Sequence, residues 1–396
     1  MLYNNKLSPL VPNGGIPRAL LWMLAILSGV TVANIYYSQP LLNMISDALH
    51  VSHLTANMIP MCAQIGYALG LLFIIPLGDL YSRRKLVFTS LVVLVVSLLV
   101  VATSSNIHVI LGISIVIGAC SVIPQVFMPI ASQYSRPDRK TRNMGILLSG
   151  LLAGILGSRV ISGIVGEYFG WRAIYWVASV LMIVCIVAVW SMMPEMPVNF
   201  KGTYQQLMKT VFSLLRHNST LQLVSVRAAL CFGSFFSLWS TLAFKMSSKP
   251  FYAGNDMIGM LGLCGFAGAI TASFVGKYIH IYGIRRFQYL GSGCVCLSWV
   301  VMYLFQNAYV GIIAGIIVLD MGMQCVQLSN QSCALSLVPK ASNRVNTVFM
   351  TTFFLGGSLG TFLSGICWNF YGWGGVSACS ILLALISISL TVFTKH

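Results

Sequence analysis

Charge is what this chain has least of. Its 396 residues include 23 Lys and Arg and only 7 Asp and Glu, so charged side chains make up 8%. A soluble domain carries about 25%, which excludes an ordinary water-soluble globule. Alternation of apolar and polar residues is also missing: residues 91–101 read Leu-Val-Val-Leu-Val-Val-Ser-Leu-Leu-Val-Val. Barrel strands alternate over about ten residues, so a barrel is excluded. The 11 cysteines form no Cys-x-x-Cys pair; Cys294 and Cys296 are two apart. Most, such as Cys62, Cys120, Cys185, Cys231 and Cys264, lie in apolar runs and read as small hydrophobes, without a disulfide framework or zinc site. Metal constellations, phosphate loops and nucleotide motifs are absent from the sequence, so no cofactor, no direct ATP drive and no enzymatic activity is expected.

What the chain has is apolar length. Hydrophobic residues are 57% and the mean hydropathy is +0.86. Long apolar runs recur at 19–46, 54–77, 85–104, 107–133, 143–168, 172–193, 222–246, 256–279, 287–305, 308–337, 344–370 and 374–394. Each is long enough to cross a bilayer as a helix. Six precede a polar loop at 194–221 and six follow it. The expected fold is therefore an all-α membrane protein of twelve transmembrane helices in two six-helix bundles, 1–193 and 222–396, joined by a linker at 194–221. The linker holds Pro194, Glu195, Pro197, Lys201, Lys209, Arg216 and His217, and Leu207 to Leu215 suits a short amphipathic helix on the membrane surface. The first apolar run follows Arg18 and continues into a full span, unlike a cleavable signal.

The net charge of +16 is sorted by side rather than spread. All Lys and Arg except Arg159, Arg172, Arg227, Lys245 and Lys249 fall on one predicted face, including Lys6, Arg136, Arg139, Lys140, Arg142, Lys277, Lys340, Arg344 and Lys395. By the positive-inside rule that face is cytoplasmic, with both termini on it, in the cytoplasmic (inner) membrane. Anionic membrane lipid is then an expected neighbour, and nucleic acid is not an expected partner.

Residues 76–85, Pro-Leu-Gly-Asp-Leu-Tyr-Ser-Arg-Arg-Lys, join two apolar runs. Gly78 permits a tight helix exit, Asp79 can pair with a base on a neighbouring helix, and Arg83, Arg84 and Lys85 form a basic cluster. A weaker echo, carrying Gly276, Gly283, Arg285 and Arg286, joins two runs in the second half. A polar, basic turn repeated once per half is expected of a gating loop in a duplicated transporter. Glycine pairs such as Gly66/Gly70, Gly150/Gly154 and Gly356/Gly360 suit close helix packing.

Ionisable groups inside spans mark function by default, because each costs about 2.5–3.5 kcal/mol to insert. Asp320, in the middle of the tenth run, is the candidate proton carrier, or else a permanently paired structural carboxylate. Arg159, deep in the fifth run, could bind an anionic group or hold a permanent partner; the structural role is the slightly favoured one. Arg227 is expected to snorkel to the interface, and Asp47, Glu167 and Asp256 to be solvated at external ends. Asn34, Tyr36, Tyr37 and Gln39 precede Pro40 and suit an amphipathic cavity wall, with Gln125, Trp239, Gln324, Gln327, Asn330 and Gln331 extending it. Gly356-Gly-Ser-Leu-Gly360 matches a nucleophile elbow without its strand–turn–helix context. Asn218-Ser-Thr220 matches a glycosylation acceptor on the wrong side.

The 76–85 loop resembles the signature between helices two and three of the major facilitator superfamily, Gly-x-x-x-Asp-Arg-x-Gly-Arg-[Arg/Lys]. It keeps Asp79, Arg83 and Arg84, and has Ile75, Leu80 and Ser82 where the family has Gly, Arg and Gly. The second copy has His280 at the acidic position. Asn34 to Leu42, Pro124-Gln125 with Pro129, Ser149 to Arg159, Gly170-Trp-Arg172, and Asn330-Gln331 with Arg344 and Asn346 resemble a drug and metabolite efflux branch of that superfamily. The resemblance implies two pseudo-symmetric bundles rocking about a cavity lined chiefly by helices one, four, seven and ten, acting as a monomer. Helix five is usually peripheral to that cavity. For the efflux branch it also implies coupling to protons. Two positions depart from the antiporter pattern: Ser114 stands where an Arg is common, and Ile155 follows Gly154 where Pro is common.

The expected function is secondary export of a small amphipathic compound in exchange for protons. The alternatives are proton-coupled uptake of a sugar or organic acid, which Arg159 in the cavity wall would favour, and a transport-inactive membrane sensor of the same fold.

Overall fold

The computed structural model describes residues 10–196, 202–338 and 342–392, and the side chains of His280, Ser342 and Asn343 are not described. Lys6, Pro197, Lys201, Lys340 and Lys395 of the sequence reading lie outside the described residues.

The described chain is helical from end to end. Among the described residues ten helices are long and apolar enough to cross a membrane. The last of these, within Ser342–Val392, breaks at Gly372 (φ 58°) and supplies two spans. An opening helix, Arg18–Ala33, is shorter but continues through a 3-10 turn into Leu42–Leu49. The membrane-crossing elements are therefore twelve, as expected. They are α1 (Arg18–Ala33, extended to 49), α2 (His53–Leu80), α3 (Arg83–Thr103), α4 (Ile107–Tyr134), α5 (Lys140–Phe169) and α6 (Ala173–Met192). In the second half they are α7 (Ser219–Ser247), α8 (255–282), α9 (Ile284–Leu304), α10 (Tyr309–Leu337), α11 (342–371) and α12 (373–392).

Four of these helices are interrupted, each for a local reason. In α1 the segment 34–41 leaves the α-helix just before Pro40, which has no N–H to donate. In α2 a π-turn over Gly70–Ile74 lets Ile75 N–H donate to Gly70 C=O at 3.0 Å. In α4 a turn at 121–122 precedes Pro124. In α8 a 3-10 stretch, Leu261–Gly265, joins two α-segments. Irregular backbone at membrane depth is tolerated where it is buried in protein or faces a cavity.

Helix pairs repeat between the halves. In α1/α5, Gly29 meets the backbone of Gly150 and Gly154. In α7/α11, Gly233 meets that of Gly356 and Gly360. A Cβ at any of these would strike backbone, so close packing explains the Gly-x-Ser-x-Gly match. One apolar core is drawn entirely from the first bundle. The other fills the second bundle and takes in Tyr36, Ala56, Ala63 and Tyr67 where the bundles meet.

The linker helix, Tyr204–His217, begins with a capping box: Thr203 Oγ1 accepts from Gln206 N–H, and Gln206 Oε1 accepts from Thr203 N–H. It buries Leu207, Met208 and Val211 and ties to α2 through Tyr204 O–H donating to Phe73 C=O at 3.1 Å. Asn218 caps α7 through Leu221 N–H.

Candidate functional site

The two bundles separate at the basic end and meet at the other. A cavity of about 510 Å³ runs inward from the basic end. Gly78, Asp79, Arg83, Ser132, Leu207, Gln331 and Arg344 line its mouth, and Tyr36, Arg159, Phe235, Gly265 and Asp320 its deep end. All four interrupted helices reach it, through Tyr36, Leu71, Gln125 and Gly265. The straight peripheral helices α6, α9 and α12 supply none of its lining.

Beyond the deep end, contacts between the bundles close the path. Asn57 Nδ2 (α2) donates to Thr361 C=O (α11) at 2.8 Å, and Gln64 Nε2 donates to Thr361 Oγ1 at 3.1 Å. His53 stacks on Phe244 (centroids 4.4 Å) beside Trp368. On the opposite flank Glu167 (α5) accepts from Asn255 N–H and Nδ2 at 2.8 and 2.7 Å. There Gly163 packs on the backbone of Asn255 and Gly259. The pairs α2/α11 and α5/α8 are the counterparts that a two-fold relation between the halves would exchange. Glu167, expected to be merely solvated, is thus also an inter-bundle clasp.

At the deep end Arg159 is 2% exposed. Its guanidinium lies 3.7 Å from the Trp239 ring centroid and 5.2 Å from that of Tyr36. Its Nε–H donates to Gln39 Oε1 at 2.9 Å. Its Nη2 has no hydrogen-bond partner, and neither has Asp320 Oδ2. Asp320, 6% exposed, seats its Cβ against Gly268, with Oδ1 beside Gly265. The two charges interact across the bundle boundary. Among the described residues no ion pair within 4.0 Å includes either of them. Apolar wall comes from Phe232 stacked on Phe353 (3.7 Å) and from Tyr67 against Phe354 (4.3 Å).

The sequence-derived candidates divide. Tyr36, Gln125, Arg159, Asp320, Gln324, Gln327 and Gln331 line the cavity. Gln331 Nε2 donates to Asn346 Oδ1 at 2.8 Å. Gln39 and Trp239 stand one layer behind, holding Arg159. Asn34, Tyr37 and Asn330 do not line it. Asn34 donates back to Thr31 C=O at 3.0 Å, because the turn after Ala33 rotates it into the first bundle. Tyr37 packs in that bundle's core. Asn330 accepts from Gln288 of α9 at 3.2 Å, a helix-to-helix bond. The wall is also wider than expected: α5 lines it from Met144 to Arg159, and α2, α8 and α11 contribute too. Helix five is not peripheral here. Arg227 is 1% exposed rather than snorkelling, since α12 covers it and Ser387 O–H donates to its backbone C=O.

The two loop copies differ as well. Asp79 and Arg83 pair at 3.9 Å at the cavity mouth, and Arg83 also donates to Gln133 at 3.3 Å. Arg344 of α11 acts on Asp79 from the other bundle. Arg84 turns away to Trp190 C=O (2.6 Å), and Lys85 is exposed. In the second copy Gly276 and Arg286 are exposed, Gly283 takes φ 86° between α8 and α9, and Arg285 donates to Thr391 C=O at 3.3 Å. None of these four lines the cavity. The residues sequence reasoning missed are Asn57, Gln64 and Thr361 at the seal and Phe232, Phe353 and Phe354 in the wall. A polar pair on one α2 face, and an aromatic pair one turn from a glycine cluster, were the signals available.

A family model described as Major Facilitator Superfamily matches residues 21–361. The chain belongs to the Major Facilitator Superfamily. It is 34% identical over 377 residues to "Uncharacterized transporter YgaY" of Escherichia coli O157:H7, covering 95% of this chain and 96% of that protein. It is 25% identical over 380 residues to "Inner membrane transport protein YnfM" of Escherichia coli strain K12, covering 94% and 90%. The solved structure of a point mutant of the nucleoside transporter NupG superposes with a TM-score of 0.76 at 13% identity, covering 95% of this chain and all of that one. The major facilitator fold and an integral membrane transporter follow.

Proposed function

We propose that this major facilitator protein moves a small amphipathic compound across the cytoplasmic membrane by alternating access, with Asp320 as proton carrier. The observation that carries the reading is a buried carboxylate with a partnerless oxygen in a cavity walled by both bundles. A carboxylate at that depth is costly as an anion, so taking and releasing a proton is the change it is suited to make. Rocking would part the Asn57, Gln64 and Glu167 bonds and close the mouth around Asp79, Arg83 and Arg344. The basic end is taken as cytoplasmic by the positive-inside rule.

Two signs of coupling fit this frame. Export in exchange for protons is supported by the resemblance to efflux proteins. Co-transport of an organic acid with a proton is supported by Arg159 in the wall. Proteoliposome flux under an imposed pH gradient tests the shared claim. Asp320→Asn is expected to abolish gradient-driven accumulation while leaving exchange of substrate across the bilayer. Accumulation that keeps its pH dependence in that variant would remove Asp320 from the mechanism.

A further inference from the structure

We infer that the cavity's ligand is an organic monoanion with a flat apolar body, its charged group on Arg159, and that it binds together with the proton on Asp320. The inference rests on the proposed role of Asp320 and fixes the sign of its coupling.

Wall charge comes first. Three arginines, Arg83, Arg159 and Arg344, face the cavity against two aspartates, Asp79 and Asp320. Asp79 is already engaged at the mouth by Arg83 and Arg344. The deep end therefore holds one cation and one anion, and protonating Asp320 leaves the cation alone.

Arg159 is prepared for a ligand in its plane. Its face is taken by Trp239 and its Nε–H by Gln39, which fixes the guanidinium's orientation. Nη2 is left unspent. A guanidinium so held presents in-plane donors, the geometry a carboxylate accepts. Phe232, Phe235, Phe353 and Phe354 also border the cavity and suit a planar apolar body.

The sign of coupling follows. Asp320 lies within electrostatic range of Arg159 from α5 and Cys264 from α8; the Arg159 guanidinium lies over the Tyr36 ring of α1 at 5.2 Å; and α9 brings Cys294 against Gly322, two residues on. Ionised Asp320 neutralises part of the Arg159 field and repels an anion. Protonated Asp320 does neither. An anion and a proton therefore strengthen each other's binding, which is the condition for co-transport. A cation seeking Asp320 would compete with the proton, which is the condition for exchange.

The test uses three probes sharing one body: 2-naphthoate, neutral 2-naphthamide and cationic 2-naphthylmethylammonium. Affinities are measured on the purified full chain in detergent between pH 8 and pH 6, where the carboxylate probe stays ionised. Naphthoate is expected to bind at least about tenfold tighter than the amide, and to tighten about tenfold as pH falls, a coupling of ordinary size. Arg159→Gln is expected to erase the preference for naphthoate over naphthamide. Asp320→Asn should keep that preference and flatten its pH dependence. Arg159→Lys, which keeps the charge, should retain part of the preference, separating loss of charge from loss of fold. Tighter binding of the ammonium, equal binding of all three, or no binding of naphthoate overturns the inference. Naphthoate binding as described without proton movement during flux would overturn the proton-carrier role and leave the anion site standing.

Discussion

The two ends of the inter-bundle path are built differently. At the sealed end the bonds cross from bundle to bundle: Asn57 and Gln64 to Thr361, and Asn255 to Glu167. At the open end the Asp79–Arg83 ion pair, at 3.9 Å, and the bond from Arg83 to Gln133 stay inside the first bundle. From the other bundle the charge of Arg344 acts on Asp79. The sealed end sets amides against a backbone carbonyl, a hydroxyl and the Glu167 carboxylate, with glycines at 163, 357 and 365 admitting them. The open end keeps its charges. Neutral hydrogen bonds are each worth about 0.5–1.5 kcal/mol net. A few of them can hold a closed end without making it permanent; under the proposed rocking, the charges at the mouth would form the opposite closure.

The largest effect expected from breaking this contrast is at a glycine of the seal. In Gly357→Leu the new side chain would meet Gln64 Oε1 and the Phe232 ring. Overpacking costs about 1–3 kcal/mol, and here it falls on the contact between bundles. The seal is expected to open, with reagents from the opposite side gaining access to a cysteine placed at Thr361. Unchanged labelling would mean the α2/α11 contact does not set the closed end.

A smaller shift is expected from Asn57→Ala, which removes one bond to the Thr361 carbonyl and leaves the one from Ser364 O–H. At about 1 kcal/mol, the population open at that end should rise about fivefold, read by the same labelling. Smaller again is Asp79→Asn, which weakens an ion pair whose carboxylate is one-third exposed. Its effect on the resting sealed state is expected to be near zero, and its effect on transport rate to be a reduction of severalfold. If Asp79→Asn and Asn57→Ala acted equally on the sealed state, the two ends would not be independent.

How much of this was legible beforehand follows from which physical signal each feature leaves. Apolar length marks spans, so the twelve crossings, the linker helix and the Gly372 break between α11 and α12 could be read within a few residues. Asp320 and Arg159 stood out because charge in an apolar run is expensive. The direction a side chain takes was not legible where the backbone leaves a regular helix. Asn34 and Tyr37 sit in the turn after Ala33, and a helical wheel drawn through that turn aims them wrongly. The role of Gln39 was hidden for the same reason: its partner, Arg159, lies 120 positions away. Arg227 shows the limit of depth counting, since nearness to a helix end says nothing about whether a neighbouring helix covers the side chain.

The most direct test of the rocking bundle is a pair of distances measured in one sample by double electron–electron resonance. Spin labels at the exposed positions Tyr168 and Met257 span the sealed end; labels at Tyr81 and Tyr282 span the mouth. When turnover conditions are imposed, the first distance is expected to lengthen while the second shortens. Two distances that change in the same direction, or a mouth that closes with the seal unmoved, would contradict alternating access about this cavity.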